Sequence, residues 1–304
     1  MIVAFELGVL YAVMALGVYL TFRILDFPDL TVDGSFTTGG ATAATLIIGG
    51  APPALATTAG FVTGFAAGII TGLLHTKGRI NGLLAGILTQ IGLYSINLRI
   101  MGGANKPLLG QDTLLSPLRQ AGLAGTWTSV AIFSVGTLMV LALVVAFLHT
   151  DMGLGMQATG NNEAMARSFG VATDSYKVLG LALSNGLVGL CGAMVAQHQG
   201  FADISMGVGL IIAGLASVIL GQAILGTRTI LVAAFAVVFG SVLYRVSIQV
   251  AMNVGLDPND MKLASAVLVV LALILPQWQI FRRVPGLRAA QRSAAGSHAA
   301  GTGA

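Results

Sequence analysis

The sequence predicts an all-α, polytopic membrane protein with about nine transmembrane helices, the second of them discontinuous. Of the 304 residues, 56% are hydrophobic and only 9% are charged, whereas soluble domains carry about 25% charged residues. Apolar runs recur along the chain at close to the ~20 residues that a helix needs to cross about 30 Å of hydrocarbon. Glycine is abundant, with 41 residues, which in an apolar chain favours close packing between helices.

The apolar runs divide the chain into nine predicted spans joined by polar loops. Their approximate bounds are 3–22, 36–48, 54–74, 82–100, 127–149, 177–199, 206–226, 229–253 and 261–281. The run 36–48 is rather short for a full crossing, and roughly eight to ten spans fit the same pattern. Residues 1–281 form one predicted transmembrane domain, and the tail 282–304, rich in Ala, Gly, Ser and Arg, is predicted to be a disordered cytoplasmic segment.

The second span follows a polar break that a lipid-facing helix could not contain. Asp26, Pro28, Asp29 and Asp33 precede the point, Phe36, at which the helical pattern resumes. A short span behind such a break is typical of a discontinuous helix whose open backbone lines a cavity. A solvated loop for Asp26 and a helix cap for Asp33 are the alternatives. The candidate lining of a substrate path comprises Asp33, Ser35, Thr37, Thr38 and, on the sixth span, Asn185.

Other residues inside the spans favour packing between helices. A four-residue spacing of glycines places them along nearly one face of the third span, where another helix can approach closely. These glycines are Gly60, Gly64, Gly68 and Gly72. For the isolated amides, the expected role is an interhelical hydrogen bond of about 0.6–2 kcal/mol. They are Gln90, Asn97 and Gln222, and this role is also the alternative for Asn185.

A polar loop, 150–176, separates two long apolar runs and carries the signals of a short helix. Either Asn161 or Asn162 can cap its N-terminus, Glu163 lies in the first turn and Gly170 supplies a left-handed stop. Met165 and Phe169 are four residues apart and therefore share one face. The loop is thus predicted to present a small apolar surface outside the membrane. Its candidate docking residues are Asn162, Glu163, Met165, Ala166, Arg167, Phe169 and Gly170.

Three stretches resemble one known family. GNNEAMARSFGV followed by KVLGLALSNGLVGLCGAMVA is similar to the coupling loop and next span of ABC-importer permeases of the branched-chain amino-acid and ribose type. DLTVDGSFTTGGATAA, at 29–44, and MGVGLIIAGLASVILG, at 206–221, match the same family in the same order. One departure is Asn162, where many members have proline; asparagine also caps, so the helix is expected to form.

The resemblance implies a set of partners. In that family the short helix docks in a groove of a cytoplasmic ABC ATPase subunit, which binds the ATP and magnesium. A second copy of the permease, or a homologous permease, and an extracytoplasmic substrate-binding protein complete the assembly. The implied location is the inner membrane of a bacterial cell.

The distribution of basic residues independently predicts that the loop 150–176 lies in the cytoplasm, since cytoplasmic loops are enriched in Lys and Arg. With nine spans and the loop 150–176 inside, the N-terminus lies outside and the C-terminus in the cytoplasm. The inner side then holds Arg23, Lys77, Arg79, Arg167, Lys177, Arg228 and the four arginines of the tail. The outer side holds Arg99, Lys106, Arg119, Arg245 and Lys262.

Several kinds of chemistry lack a sequence signal. The chain has no G-x-x-x-x-G-K-[ST] motif for nucleotide phosphates, and its histidines and its single cysteine, Cys191, show no metal-ligand spacing. We therefore expect no catalytic residue, no metal and no cofactor on this chain. The net charge of +4 comes from scattered residues, which does not indicate a nucleic-acid partner.

The expected function is that of a permease subunit of an ATP-driven importer for a small polar solute. An amino acid is the expected substrate, with a sugar or a nucleoside as alternatives. A stand-alone secondary transporter or channel is the alternative class; it would need acids inside the spans, and Glu6 lies near one end of its span. A scaffold subunit without a path is a third possibility.

Overall fold

The computed structural model describes residues 1–253 apart from Ala124, and beyond them only the isolated residues 263, 266, 267 and 270. Most of the described chain is helical. The helices are α1 (Ile2–Tyr19), α2 (Thr31–Ile48), α3 (Pro53–Thr76), α4 (Gly82–Met101), α5 (Ser116–Gln120), α6 (Trp127–Leu148), α7 (Asp151–Asn161), α8 (Glu163–Ser168), α9 (Thr173–Gln199), α10 (Leu210–Leu225) and α11 (Ile230–Asn253). The predicted ninth span, except for those isolated positions, and the tail 282–304 lie outside the described residues.

Two features add to the helices. A π-helical turn, Leu20–Ile24, continues α1. Two short strands, β1 (Asn105–Pro107) and β2 (Phe201–Asp203), pair antiparallel and join the loops that follow α4 and α9.

Six of the described helices are long and apolar enough to cross a membrane: α1 with its π-helical turn, α3, α4, α6, α9 and α11. Helix α10 is apolar but has only 16 residues, and α2 has the length but contains many Thr and Gly residues. The described chain is therefore a multi-pass membrane protein. The predicted count of nine spans is not confirmed, because it includes these two helices and residues outside the described part.

Burial separates central helices from peripheral ones. In their most apolar stretches, 78% of α1 and 72% of α9 are buried, against 28% of α4 and of α6. The two central helices pack against each other and against α2. The outer faces of α4 and α6 carry exposed aliphatic side chains such as Leu84, Leu88 and Leu143, which suits contact with lipid or with another subunit.

Helix α3 lies against α9 along its row of glycines, where the two backbones nearly touch. A Cβ atom added at Gly64 would lie 2.2 Å from the carbonyl oxygen of Asn185, and one at Gly68 would lie 2.2 Å from that of Leu181. Added Cβ atoms at the two outer glycines of the row would meet α9 at 2.7 and 2.8 Å; these are Gly60 and Gly72. Only glycine permits this approach, because any side chain would force the helices apart.

The first helix also packs against α11, the last described one. The hydroxyl of Ser241 donates to the carbonyl oxygen of Gly8 at 2.8 Å, across 233 positions of sequence. A Cβ atom at Gly8 would lie 2.9 Å from the Cα atom of Val242. The two ends of the described chain therefore close the bundle against each other.

The second helix is not interrupted where the sequence predicted. Helix α2 runs without a break from Thr31, so Asp33 and Ser35 lie inside it, and the non-helical segment narrows to 25–30. Hydroxyl groups on α2 bond within the helix: Thr38 donates to the carbonyl oxygen of Gly34 at 2.9 Å. The helix is surrounded by protein along most of its length, so its polar residues do not meet lipid, and the rule for lipid-facing helices does not apply.

Candidate coupling surface and transport cavity

The polar loop contains a helix that the sequence analysis missed. Helix α7 is capped by Thr150, whose hydroxyl oxygen accepts from the backbone N–H of Gly153 at 3.3 Å. It packs against the N-terminal part of α9 and against the π-helical turn. Met156 is fully buried, and a Cβ atom at Gly160 would overlap the carbonyl oxygen of Ile24. The first half of the loop is therefore held tightly to the bundle.

Helix α8 is closed at both ends by the residues that the sequence indicated. Asn162 Oδ1 accepts from the backbone N–H of Met165 at 3.0 Å, which caps the N-terminus. Gly170 adopts a φ of +83°, and the N–H of Val171 donates back to the carbonyl oxygen of Ala166 at 3.1 Å. These local bonds stabilise a helix of only six residues.

Charged side chains fix α8 to the start of α9. Glu163 accepts from Arg167 at 3.1 Å and from Lys177 at 2.7 Å. Arg167 also donates to Asp174 at 2.8 Å and to the hydroxyl of Thr173. Lys177 is mostly buried, so its pair with Glu163 is less screened than the others. A displacement of α8 would therefore move the first turn of α9.

The outer face of α8 is apolar and has no partner among the described residues. Phe169 is 75% exposed and Met165 is 58% exposed, whereas Ala166 is buried against the bundle. On α7, Met152 and Leu154 are exposed as well. We call the two exposed apolar side chains of the short helix, Met165 and Phe169 at its C-terminal cap, the coupling surface; exposed apolar side chains that share one helix face mark contact sites for other proteins.

Asp33 acts as a cap, but for a helix other than its own. Its Oδ2 accepts from the backbone N–H of Gly209 at 2.8 Å and its Oδ1 accepts from that of Ile211 at 2.9 Å. The two donors are the N-cap of α10, Gly209, and a residue of its first turn, Ile211. The N-terminus of a helix favours a nearby carboxylate, because its free N–H groups and the helix dipole attract negative charge. Of the two predicted roles for Asp33, path residue and helix cap, the geometry shows the helix cap, and the capped helix is α10.

The structure places Ser35 and Asn185 in a buried contact between α2 and α9. Ser35 Oγ donates to Asn185 Oδ1 at 2.7 Å, and Asn185 Nδ2 donates to Asp29 Oδ2 at 2.6 Å. Asp29 Oδ1 accepts from the backbone N–H of Thr31 at 2.9 Å. We call Ser35, Asn185 and Asp29 the buried triad. It packs helices together and, with the buried Thr38, stays outside the cavity lining described next.

An open cavity of about 410 Å³ lies between α2, α4 and the loop before α10. It brings Asp33 and Thr37, two predicted path residues, together with a polar face of α4. The lining residues are Asp33, Gly34, Thr37, Gln90, Ile91, Tyr94, Ser95, Asn97, Ile204 and Val208. Asn97 is buried, and its Oδ1 has no hydrogen-bond partner among the described residues, whereas its Nδ2 reaches the carbonyl oxygen of Gly34 at 3.5 Å.

The α4 part of this cavity was not predicted as a path. Gln90 and Asn97 were interpreted as packing amides. Their spacing with Tyr94, at i, i+4 and i+7, places all three on one helix face. That periodicity was present in the sequence and indicates a polar stripe.

Six membrane-crossing helices in the described part of the chain, a cavity with polar groups in its lining and a capped short helix between two spans define the class as a multi-pass membrane protein. The chain belongs to the family described as branched-chain amino acid transport system / permease component, whose sequence model matches residues 3–275. The predicted family resemblance is therefore confirmed, and the chain is a permease of an ABC-type transport system.

Individual relatives agree with the family. The chain is 38% identical over 263 residues to "Tyrosine transport system permease protein" of Clostridioides difficile (strain R20291), with 86% of each chain covered. It is 27% identical to "Ribose import permease protein RbsC" of Escherichia coli (strain K12), covering 69% of this chain and 65% of that one. A solved structure, "PsaBC from Streptococcus pneumoniae in complex with Fab", shares the fold with a TM-score of 0.54 at 16% identity, covering 88% and 89% of the two chains.

Proposed function

We propose that this chain is the permease subunit of an ATP-driven importer for a small polar solute, and that the solute is an amino acid. The observation that carries the proposal is the coupling surface: an apolar face on a capped helix that is fixed to the bundle. Family membership supports the transport system, and the tyrosine transport relative supports the substrate. The ribose relative keeps a sugar as the alternative.

The partners follow from this function. A cytoplasmic ABC ATPase subunit binds the coupling surface and holds the ATP and magnesium. A second copy of the chain, or a homologous permease, completes the path, and an extracytoplasmic protein delivers the solute. In this arrangement α7 and α8 face the cytoplasm, the N-terminus lies outside the bacterial inner membrane and the C-terminus lies inside. The exposed apolar faces of α4 and α6 are available for the second permease and for lipid.

The contacts provide a route by which ATP-driven movement reaches the cavity. Force on Phe169 passes through the Glu163–Lys177 pair to α9, and α7 transmits it to the π-helical turn. From α9 the buried triad leads to α2, which forms one wall of the cavity. Because close-packed interiors deform little, the route moves helices as rigid bodies.

The cavity itself suits a small solute with both polar and apolar parts. Tyr94 and Ile91 offer apolar surface. Asn97 Oδ1 is buried in this structure and has no partner in the described part of the chain, so a movement of the cavity wall that exposes it would add an acceptor. An amino group or hydroxyl group of the solute would satisfy that acceptor. A stand-alone transporter driven by an ion gradient finds less support, because the family consists of components of ABC-type systems.

The test is to replace Phe169 by Asp in the full assembly and to measure co-purification of the ATPase and uptake of labelled tyrosine. A charge on the coupling surface should reduce both by at least about tenfold, since a buried interface anchor contributes about 2 kcal/mol or more. The matched control is Leu109→Asp, which changes an even more exposed apolar side chain, in the loop after α4.

Unchanged assembly with the Phe169 variant would contradict the docking role. Loss of assembly in both variants would show general damage and would equally remove the support for a specific surface. Uptake that persists after ATP depletion and follows an ion gradient would refute the importer class.

A further inference from the structure

The short basic loop between α3 and α4 borders a second cavity, next to α8. This cavity has a volume of about 740 Å³ and lies at the end of the bundle that carries the coupling surface. Its charged lining combines four cations with two carboxylates: Lys77, Arg79, Arg167 and Lys177 with Glu163 and Asp174. The net charge of these six side chains is therefore positive.

The two carboxylates of this cavity are already neutralised. Glu163 is paired with Arg167 and with Lys177, and Asp174 is paired with Arg167. Lys77 and Arg79, by contrast, are exposed and make no salt bridge with any residue that the structure describes. These two cations are thus available to an anion from outside the chain.

The cavity adjoins an apolar groove between α3 and α9. The groove has a volume of about 330 Å³ and shares Thr76, Lys77 and Asp174 with the polar cavity. Its other lining residues are Phe65, Ile69, Leu73, Ser175, Val178, Leu179 and Ala182. From Lys77 to Phe65 the helix covers roughly 18 Å at ~1.5 Å per residue, slightly more than half of the ~30 Å hydrocarbon layer.

We propose that an anionic phospholipid occupies this combined site, with its phosphate group between Lys77 and Arg79 and an acyl chain along the groove. A positive cavity alone would accept any anion, but the continuous apolar groove adds a requirement for a hydrocarbon chain. The position of the two cations supports the same ligand. Lys77 and Arg79 lie just after the end of α3, where that helix leaves the membrane, and anionic lipids attract basic residues at such positions. The bound lipid would connect the α3–α4 loop with the first turn of α9, beside α8.

The first experiment measures lipid binding to the full-length chain in a neutral detergent by native mass spectrometry. Dioleoyl phosphatidylglycerol should bind at least tenfold more tightly than dioleoyl phosphatidylcholine. The variant K77Q/R79Q should bind phosphatidylglycerol about 25-fold more weakly, the effect of removing two basic side chains near an anionic head group. The control R23Q/K106Q removes two cations outside both cavities and should change the affinity by less than about twofold.

Two further arms separate the possible sources of the anion and guard against misfolding. The variant K77R/R79K keeps the charge and should retain the preference. Dihexanoyl phosphatidylglycerol and inorganic phosphate should each bind at least tenfold more weakly than the dioleoyl lipid, because they do not fill the groove.

Equal binding of the two dioleoyl lipids would overturn the proposal, and so would an unaffected K77Q/R79Q variant. Equal binding of inorganic phosphate would assign the site to a free anion. A loss of ATPase co-purification in K77Q/R79Q without any lipid preference would assign the two cations to the ATPase contact and would also refute a lipid site. The lipid measurement needs neither ATP nor transport, so its failure would leave the proposed importer function unaffected.

Discussion

Replacing Asn185 by Ala tests whether the buried triad holds α2 against α9. The change removes the donor to Asp29 Oδ2 and the acceptor of the Ser35 hydroxyl. A buried acceptor left unsatisfied costs about 1–3 kcal/mol, and an interhelical hydrogen bond in a membrane protein contributes on average about 0.6 kcal/mol. The expected loss in free energy of unfolding is therefore about 2–3 kcal/mol. Equilibrium unfolding in mixed detergent micelles, followed by circular dichroism, measures it.

A pair of serine variants supplies the control for this prediction. Ser35→Ala removes a hydroxyl that bonds to another helix and should cost about 0.6–1.5 kcal/mol. Ser217→Ala removes an equally buried hydroxyl that donates to the carbonyl oxygen of Ala213 within its own helix, and should cost less than about 0.5 kcal/mol. The reasoning fails if Ser35→Ala costs no more than Ser217→Ala, or if Asn185→Ala leaves stability within about 0.5 kcal/mol of wild type.

Three further predictions concern the packing of helices, the cavity and the two-stranded sheet. Gly64→Ala should destabilise the bundle by about 1–3 kcal/mol in the same unfolding assay, whereas Gly92→Ala, with nothing within 4 Å of its Cβ position, should be neutral or stabilising; equal effects would contradict the close-approach argument. Asn97→Leu should reduce tyrosine uptake at least about tenfold without loss of ATPase co-purification, since it removes an unpartnered Oδ1 and only one long hydrogen bond, from Nδ2 to the carbonyl oxygen of Gly34 at 3.5 Å; unchanged uptake would remove Asn97 from the path. Burial acts to raise the pKa of Asp203, but hydrogen bonds from its neighbours outweigh it and hold the pKa below its usual range. The carboxylate therefore stabilises the pairing of β1 with β2 above the ordinary pKa of Asp, and this contribution is lost as the pH falls through the lowered value; proteolysis of these two paired loops that already rises near pH 6 would contradict this.

The features that the sequence predicted well are those with local causes. The cap at Asn162 and the stop at Gly170 depend on residues within one turn of α8, so their residue types are sufficient to indicate them. The long apolar spans are likewise set by composition over ~20 residues. Both signals can be read without knowing which segments touch.

The features that were missed depend on contacts between distant segments. Helix α7 contains Gly153, Gly155 and Gly160, which disfavour a helix, and it forms where those glycines allow close contact with the π-helical turn and Tyr176. Helix α2 tolerates its polar first turn because α9 and the start of α10 satisfy it. The sequence also could not show that Asn185 meets Asp29 and not the cavity, since 156 positions separate the two residues.

The contact between α1 and α11 has a consequence for biosynthesis. The hydroxyl of Ser241 bonds to Gly8 across 233 positions. Helix α1 is synthesised first, so this contact cannot form until α11 has been synthesised. At about 5–20 residues per second, that delay amounts to roughly 10–50 s. During this interval the face of α1 around Gly8, which later packs against α11, can contact only lipid or the insertion machinery. A ribosome pause after α10 would prolong the time for which this face is unpaired.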